Sequence, residues 1–203
     1  MARVMNAVLR YASDISFKVQ GLKYLKSCKG SAILVANHQS SFDGFGFSQF
    51  WLYVHPCSFV AKNTMAYFGP MGFAVTLCGV VFINRANSKK AMAQLDYQYK
   101  QLYDRNSKLL IFPEGTRNFT GTILPFKKGA FCVAIKHQVP IIPIVYSSQI
   151  EYFNVRKRFW YNKDMIIRVL PAIPTTGLTL SDVEQLSNSV RELMMKTFEQ
   201  ISK

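Results

Sequence analysis

Acidic residues are scarce in this sequence, and the marks of several common protein classes are missing. Eleven Asp and Glu residues stand against 25 Lys and Arg, which gives a formal net charge of +14. This imbalance indicates an anionic partner, such as nucleic acid, an anionic membrane surface or a phosphorylated substrate. The four cysteines are far apart and mostly inside apolar runs, so we interpret them as small buried side chains in a reduced compartment. His38, His55 and His137 are isolated from one another and lack paired carboxylates, so we predict no metal site.

Long apolar runs are also missing. The longest nearly apolar stretch covers 13 residues, from Met71 to Ile83, and contains two glycines, whereas a bilayer-spanning helix needs about 20 apolar residues. We expect no secretory signal in residues 1–20, because charged residues are mixed with apolar ones there. Those residues instead carry an apolar stripe at helical spacing, which predicts an amphipathic helix that lies in a membrane interface or packs on the domain.

Nucleic acid is the runner-up partner class for so basic a chain. The sequence has no helix-turn-helix, zinc or aromatic ribonucleoprotein signature, and its basic residues are spread along the chain and not clustered in one arm. We therefore predict no nucleic-acid binding.

One histidine stands close to an aspartate directly after an apolar run. His38 and Asp43 follow the run 32–36, which predicts a buried strand that ends in a loop entering a helix. An imidazole held by a carboxylate can remove a proton from a hydroxyl group. The alternative is a helix cap beside a structural histidine, since such a pair alone is weak evidence.

Three further strand-like runs carry polar residues or proline. The segment 79–85 ends in Arg85, the run 109–112 is followed by the segment 113–117, and prolines interrupt the run 139–144. Because open α/β sheets form their sites beyond the carboxyl ends of the strands, we expect these loops to share one crevice.

These blocks together resemble the glycerolipid acyltransferase family, whose members acylate glycerol-3-phosphate and lysophospholipids. The four blocks occur in order and are NHQSSFD at 37–43, GVVFINR at 79–85, FPEGTRN at 112–118 and VPIIPI at 139–144. The details are most similar to animal 1-acylglycerol-3-phosphate acyltransferases. The resemblance implies acyl transfer from acyl-CoA, as co-substrate and without a cofactor, to the sn-2 hydroxyl of lysophosphatidate, giving phosphatidic acid. Alternatives are another acceptor of the same family or a non-catalytic lipid-binding or anion-binding module.

The resemblance also implies roles for individual residues. His38 is expected to act as the base and Asp43 to orient it, while Ser40 and Ser41 are expected to be loop or capping residues and not acyl carriers. The expected substrate-binding residues are Gly79, Arg85, Glu114, Gly115 and Arg117. The two arginines match phosphate-binding positions, the glycines allow close backbone approach or a turn, and Glu114 either orients Arg117 or bonds the glycerol hydroxyl.

Three lysines and several apolar residues are candidates for further contacts to the substrates. Lys62, Lys127 and Lys128 are expected to meet CoA phosphates or the developing oxyanion. An acyl channel walled by the 139–144 block and the phenylalanines at 42, 45 and 47 is one expectation, and ordinary core packing is the other. Pro140 and Pro143 predict an edge strand. Asn118 begins a glycosylation pattern that we interpret as accidental because it lies in the expected site loop.

Strand-like and helix-like segments alternate along the chain, which predicts a single α/β domain over residues 1–203 with a mainly parallel sheet flanked by helices on both faces. Strands are expected near 16–20, 32–36, 57–61, 80–83, 109–112, 141–147 and 165–170. Helices are expected near 43–53, 87–105, 129–137 and 181–201, the last opened by a capping box of Ser181 and Glu184. A chain break is expected around 69–72.

The related animal enzymes usually carry transmembrane segments before the catalytic domain, and this sequence shows none. We therefore expect either peripheral attachment to membranes or a form that is truncated relative to those enzymes. The resemblance implies the endoplasmic reticulum membrane. The segment 153–163 interleaves cations with aromatics, which suits an anionic headgroup boundary or a solvated basic loop.

Overall fold

The chain is described by a computed structural model over residues 16–202, apart from 68, 78, 85, 86, 151, 152, 155–158 and 161–163. Its strands are β1 (Phe17–Gln20), β2 (Ile33–Ala36), β3 (Cys57–Lys62), β4 (Val81–Ile83), β5 (Lys108–Ile111), β6 (Ile141–Tyr146), β7 (Phe153–Asn154), β8 (Phe159–Trp160) and β9 (Met165–Val169). Its α-helices are α1 (Leu22–Ser27), α2 (Asp43–Ser48), α3 (Trp51–Val54), α4 (Gly69–Leu77), α5 (Ser88–Tyr103), α6 (Gly129–Lys136) and α7 (Val183–Ile201). Two 3₁₀ turns cover Asn63–Tyr67 and Leu180–Asp182.

Seven strands form one sheet in the order β1-β9-β6-β2-β5-β3-β4. Every neighbouring pair is parallel except β6 and β9, which are antiparallel. The expected mainly parallel α/β sheet is therefore confirmed. The expected amphipathic helix at the N-terminus lies outside the described residues.

The two faces of the sheet support separate cores. Ile33 and Val35 of β2 pack with residues of α5, α6 and α7 on one face. Leu34 and Ala36 pack on the opposite face with residues of α1, α2 and α3. Because a strand covered on both faces needs apolar side chains at every position, the central strands read as unbroken apolar runs.

Strand β6 corrects the prediction that Pro140 and Pro143 shape an edge strand. β6 lies inside the sheet, between β9 and β2. The carbonyl of Pro143 accepts from Leu170 N–H at 2.9 Å, directly after β9 ends. Pro143 has no N–H to donate, but it lies where the hydrogen bonds between β6 and β9 stop. A proline is therefore tolerated at this position inside the sheet.

Helix α4 occupies the region where we expected a break. Gly69 and Pro70 are its first two residues, and proline is tolerated in the first turn of a helix because no intrahelical partner awaits its N–H. The single helix expected over 43–53 is instead two short ones, α2 and α3. Phe50 separates them with a non-helical backbone and is fully buried.

The capping box of the last helix also differs from its prediction. Thr179 and Asp182 form it, not Ser181 and Glu184. The chain therefore enters α7 through an additional 3₁₀ turn at Leu180–Asp182. Helix α5 begins within the range expected for it, and the Asn87 side chain caps it by accepting from Lys90 N–H at 3.0 Å.

Candidate active site

The predicted base and its aspartate are in direct contact. His38 follows β2, and Asp43 is the first residue of α2. The His38 Nδ1 atom lies 2.7 Å from Asp43 Oδ2. Asp43 is fully buried, whereas a quarter of the His38 side chain is exposed. Because a carboxylate accepts hydrogen bonds, the neutral ring keeps its proton on Nδ1 and donates it to Oδ2 as a hydrogen bond, which leaves the lone pair of Nε2 available.

The Asp43 carboxylate is held by further hydrogen bonds. The backbone N–H groups of Gln39 and Ser40 donate to Oδ2 at 2.7 and 3.1 Å. The Gln149 amide donates to Oδ1 at 2.7 Å. These donors compensate the burial of a carboxylate, which would otherwise be costly.

A second loop, residues 112–128 between β5 and α6, is joined to the backbone of His38. The His38 N–H donates to Glu114 Oε1 at 2.7 Å, and the His38 carbonyl accepts from Asn118 N–H at 2.8 Å. The other oxygen of Glu114 accepts from Leu124 N–H at 2.9 Å. Burial raises the pKa of Glu114, and these backbone donors oppose the rise. Glu114 thus connects the two loops through backbone N–H groups, whereas Arg117 bonds to Ser41.

The ring of His38 also packs on this second loop. It stacks on Phe112 with centroids 4.2 Å apart and planes inclined by 21°. Phe112 directly follows β5, the neighbour of β2 in the sheet. Adjacent parallel strands therefore end at the same edge and place the two motifs together, as expected.

Arg117 and Gly115 lie on the same loop. Arg117 is exposed and donates from Nη1 to Ser41 Oγ at 2.5 Å, beside the His38 loop. Gly115 has φ 72°, and a Cβ there would lie 2.7 Å from Lys127 Nζ. The glycine thus satisfies a left-handed turn and leaves room for the lysine to cross it. Among the predicted site residues, the described structure brings together His38, Asp43, Glu114, Gly115, Arg117 and Lys127.

The remaining predicted residues lie in other surroundings. Lys128 lines the apolar cleft described below and forms an exposed ion pair with Glu184 at 2.9 Å, whereas Lys62 is exposed at the end of β3. Gly79 has φ 71° just after α4, and its carbonyl accepts from Ser58 Oγ, so it serves as a turn. Arg85 lies outside the described residues. Its role stays a prediction.

Two serines of the first motif have the bonding of loop residues. The Ser40 hydroxyl accepts from Phe42 N–H at 2.9 Å and donates to Gln149 Oε1. Ser41 Oγ accepts from Arg117. These contacts suit the expected structural role of both serines. The Cys57 thiol is also unsuited to nucleophilic chemistry, because burial raises its pKa to about 12.

Three supporting residues were missed from the sequence. Asn37 exchanges two hydrogen bonds with the backbone of Tyr146, at 2.9 and 2.8 Å, and so fixes the end of β2 against the end of β6. The Tyr146 hydroxyl donates to the Asp43 carbonyl at 3.2 Å. Gln149 bonds the carboxylate, as described above. Their positions in the sequence were the available signal, since Asn37 opens the first motif and the other two follow the apolar run 139–144 within five residues.

Asn118 is a structural residue of the second loop. It is buried, its Nδ2 donates to the Thr122 carbonyl at 2.6 Å, and its Oδ1 accepts from Thr120 N–H at 2.9 Å. An amide engaged in this way is inaccessible in the folded chain, in keeping with an accidental glycosylation pattern.

An apolar cleft of about 620 Å³ opens beside Phe112, at the carboxyl end of β5. Its walls come mainly from β5, α5, α6 and the second loop, and they include Met92, Leu95, Ile111, Phe112, Phe126 and Ala130. Phe112 also stacks on His38, so one side chain contacts both the cleft and the imidazole. Core packing, and not this cleft, accounts for Phe47 and strand β6: Phe47 packs on Phe50 and Trp51, and the β6 side chains are buried in the two cores.

A second histidine and aspartate pair lies away from the cleft. Asp96 Oδ1 is 3.0 Å from His137 Nε2, and its other oxygen pairs with Lys136. His137 caps the carboxyl end of α6, whereas Gly129 at the opposite end lines the cleft. Within the described part of the chain, no three His, Cys, Asp or Glu side chains converge as metal ligands would.

The fold and this site define an acyltransferase domain: the acyltransferase family model matches residues 16–147, and the chain belongs to that family. It is 39% identical over 194 residues to human 1-acyl-sn-glycerol-3-phosphate acyltransferase beta, covering 96% of this chain and 69% of that protein. It is 37% identical over 202 residues to the human alpha enzyme, covering 98% of this chain and 70% of that protein. A Caenorhabditis elegans relative, acl-2, is 39% identical over 175 residues, which are 86% of this chain and 61% of that protein. The chain thus spans about two thirds of the length of these relatives.

A solved structure shares the fold. The crystal structure of the 1-acyl-sn-glycerophosphate (LPA) acyltransferase PlsC from Thermotoga maritima matches with a TM-score of 0.74 and 22% sequence identity. The match covers 98% of this chain and 78% of that one.

Proposed function

We propose that this chain transfers an acyl group from acyl-CoA to the sn-2 hydroxyl of 1-acyl-sn-glycerol-3-phosphate, releasing phosphatidic acid and CoA. The observation that carries the proposal is the contact between His38 and a buried Asp43, next to an apolar cleft. Family membership and the names of the human relatives support the acceptor.

The reaction needs a base and no covalent acyl-enzyme. The hydroxyl loses its proton to His38 Nε2 as its oxygen bonds to the thioester carbonyl carbon. The carbon–sulfur bond then breaks, and the sulfur leaves as the thiol of CoA after taking the proton from the imidazolium. Asp43 keeps the ring in the required tautomer and stabilises the imidazolium, because its charge lies 2.7 Å away.

Arg117 and Arg85 bind the acceptor phosphate in this proposal. Guanidinium groups suit a phosphomonoester because they present paired donors. The exposed position of Arg117 beside Ser41 supports this role. Gly115 and Gly79 give the backbone its required turns, and Glu114 holds the loop that carries Arg117 against His38.

The apolar cleft receives the acyl chain of the donor. The apolar lining of the cleft and the stacking of Phe112 on His38 support a position for the reacting thioester near the imidazole. Ser88 and Gly129, the first residues of α5 and α6, both line the cleft, so two positive helix ends are directed toward it. Together with Lys127 and Lys128 they favour CoA phosphates at its mouth. Lys62 is a further candidate for such a contact.

An anionic membrane surface is the partner that we propose for docking. Large apolar side chains are exposed on α3, α4 and the turn before α4, namely Leu52, Met65, Tyr67, Phe73 and Leu77. Exposed apolar side chains on a chain of net charge +14 suit an anionic lipid interface, such as that of the endoplasmic reticulum. Among the described residues no helix is long and apolar enough to span a bilayer.

The test is release of CoA thiol from one acyl-CoA, with glycerol-3-phosphate, lysophosphatidate, lysophosphatidylcholine and lysocardiolipin as separate acceptors. We expect turnover with lysophosphatidate and its loss in His38→Ala, while His137→Ala stays active as the matched histidine control. Greater turnover with another acceptor would reassign the substrate. No thiol release with any acceptor would contradict the catalytic proposal in favour of a lipid-binding or anion-binding module.

A further inference from the structure

Asp43 must present one oxygen to His38 for the pair to work, and its carboxylate is buried. The Oδ2 atom faces the His38 ring and two backbone N–H groups. Oδ1, on the opposite side, faces the Gln149 amide at 2.7 Å. Among the described residues, Gln149 is the only one whose side chain donates to Oδ1. Rotation of the carboxylate would break bonds on both sides, so Gln149 helps to hold Oδ2 against the imidazole.

The orientation of the Gln149 amide follows from its neighbours. Phe42 N–H donates to Ser40 Oγ, so the Ser40 hydroxyl proton is free to go to Gln149 Oε1. The amide nitrogen then faces Asp43, where a carboxylate can only accept. The backbone and side-chain donors around the aspartate therefore form one consistent network.

Gln149 reaches this position from a distant part of the chain. It lies 106 residues from Asp43 and three residues beyond β6, whose end is already bonded to Asn37. Gln149 is itself buried. The loop after β6 thus contributes a side chain to a site that otherwise comes from the loops after β2 and β5.

We propose that Gln149 is a positioning residue for acyl transfer, which fixes the Asp43 carboxylate so that its Oδ2 orients the His38 ring. The proposal rests on the proposed function for its kinetic consequences. Gln149 touches neither substrate nor the reacting atoms, and it acts through Asp43.

The first variant is Gln149→Met, which keeps the length of the side chain and removes the amide. Without a donor to its buried Oδ1 atom, the Asp43 carboxylate loses its fixed orientation. We expect kcat to fall about tenfold, with KM for acyl-CoA and lysophosphatidate within about twofold of the parent. The control is Gln138→Leu, which removes hydrogen bonds to Ile135, Gly177 and Leu178 away from the site and should leave kcat unchanged.

The second variant is Gln149→Glu. A protonated glutamic acid donates to Asp43 as the amide does, whereas its ionised form repels that carboxylate. Burial and the nearby charge raise the pKa of the introduced acid. The other titratable groups around it are His38 and the phenol of Tyr146. We expect turnover to fall as pH rises through the pKa of the introduced acid, so that the pH profile is shifted toward acid and narrowed.

The results separate the proposal from its alternatives. A folded Gln149→Met variant with parental kcat, or a Gln149→Glu variant with the parental pH profile, would overturn it. Failure of both variants to fold would assign Gln149 to the stability of the fold and overturn it too. ¹⁵N NMR of the His38 ring gives a readout without turnover: the Nδ1-protonated form is expected in the parent and should be weakened in Gln149→Met. A parent inactive with every acceptor would refute the proposed function, while this NMR comparison would still decide the role of Gln149.

Discussion

Asp43→Asn separates the charge of the carboxylate from its shape. The asparagine oxygen can occupy the place of Oδ2 and accept from Gln39, Ser40 and His38. Its amide group then faces Gln149, whose own amide turns over to accept from it. One hydrogen-bond network replaces another, so we expect the free energy of unfolding to fall by only about 1 kcal/mol.

The rate is expected to fall far more. The Asp43 charge stabilises the imidazolium much more than the neutral ring, so it stabilises the transition state selectively. At 2.7 Å and an effective dielectric constant of about 20, Coulomb's law gives roughly 6 kcal/mol as an upper value. Solvent at the quarter-exposed His38 reduces that value. A loss of about 4 kcal/mol corresponds to about a thousandfold in kcat.

The assay is release of CoA thiol at saturating lysophosphatidate, with thermal unfolding measured in parallel. The matched control is Asp96→Asn, because Asp96 pairs with His137 and Lys136 away from the cleft. That variant should keep parental kcat. If Asp43→Asn retained kcat within about tenfold while remaining folded, charge on Asp43 would not drive the reaction and the assigned mechanism would be wrong.

Three further predictions concern the acceptor, the donor and the loop contact. Arg117→Ala should raise KM for lysophosphatidate about tenfold or more and leave KM for acyl-CoA nearly unchanged, as measured by varying each substrate in turn; equal effects on both would contradict a phosphate contact. Met92→Trp fills part of the cleft and should lower kcat/KM for long-chain acyl-CoA more than for short-chain acyl-CoA; an unaltered chain-length profile would remove the cleft from the donor site. Burial raises the pKa of Glu114, so the stability it contributes is present below the ordinary glutamate pKa and is lost as pH rises through the raised value. Glu114→Gln should abolish the fall in melting temperature over that pH range. A variant whose melting temperature has the same pH dependence as the parent would contradict this role of Glu114.

The central strands could be predicted from sequence because each is an apolar run buried on both faces. β2 and β5 are examples, with every residue buried. Helix α4 could not be predicted, because Gly69 and Pro70 usually mark a turn and here begin a helix. The place of β6 in the sheet depends on strand order, which local patterns do not contain.

The candidate site likewise contains contacts that could be predicted from the sequence and one that could not. His38 and Asp43 are five residues apart, so one loop suffices to bring them together. Glu114 and Arg117 could be associated with them because both motifs follow strands. Gln149 could not, since its contact depends on β6 lying next to β2 in the folded sheet.

The main chain of His38 is bonded on both sides to a single loop, through Glu114 and through the N–H of Asn118. The proton acceptor and the loop that carries Arg117 therefore move as one body. Chimeras with other members of the family should exchange segments 37–43 and 112–124 together, because a mismatch between them would displace the imidazole even where Asp43 and Phe112, whose side chains contact it, are unchanged.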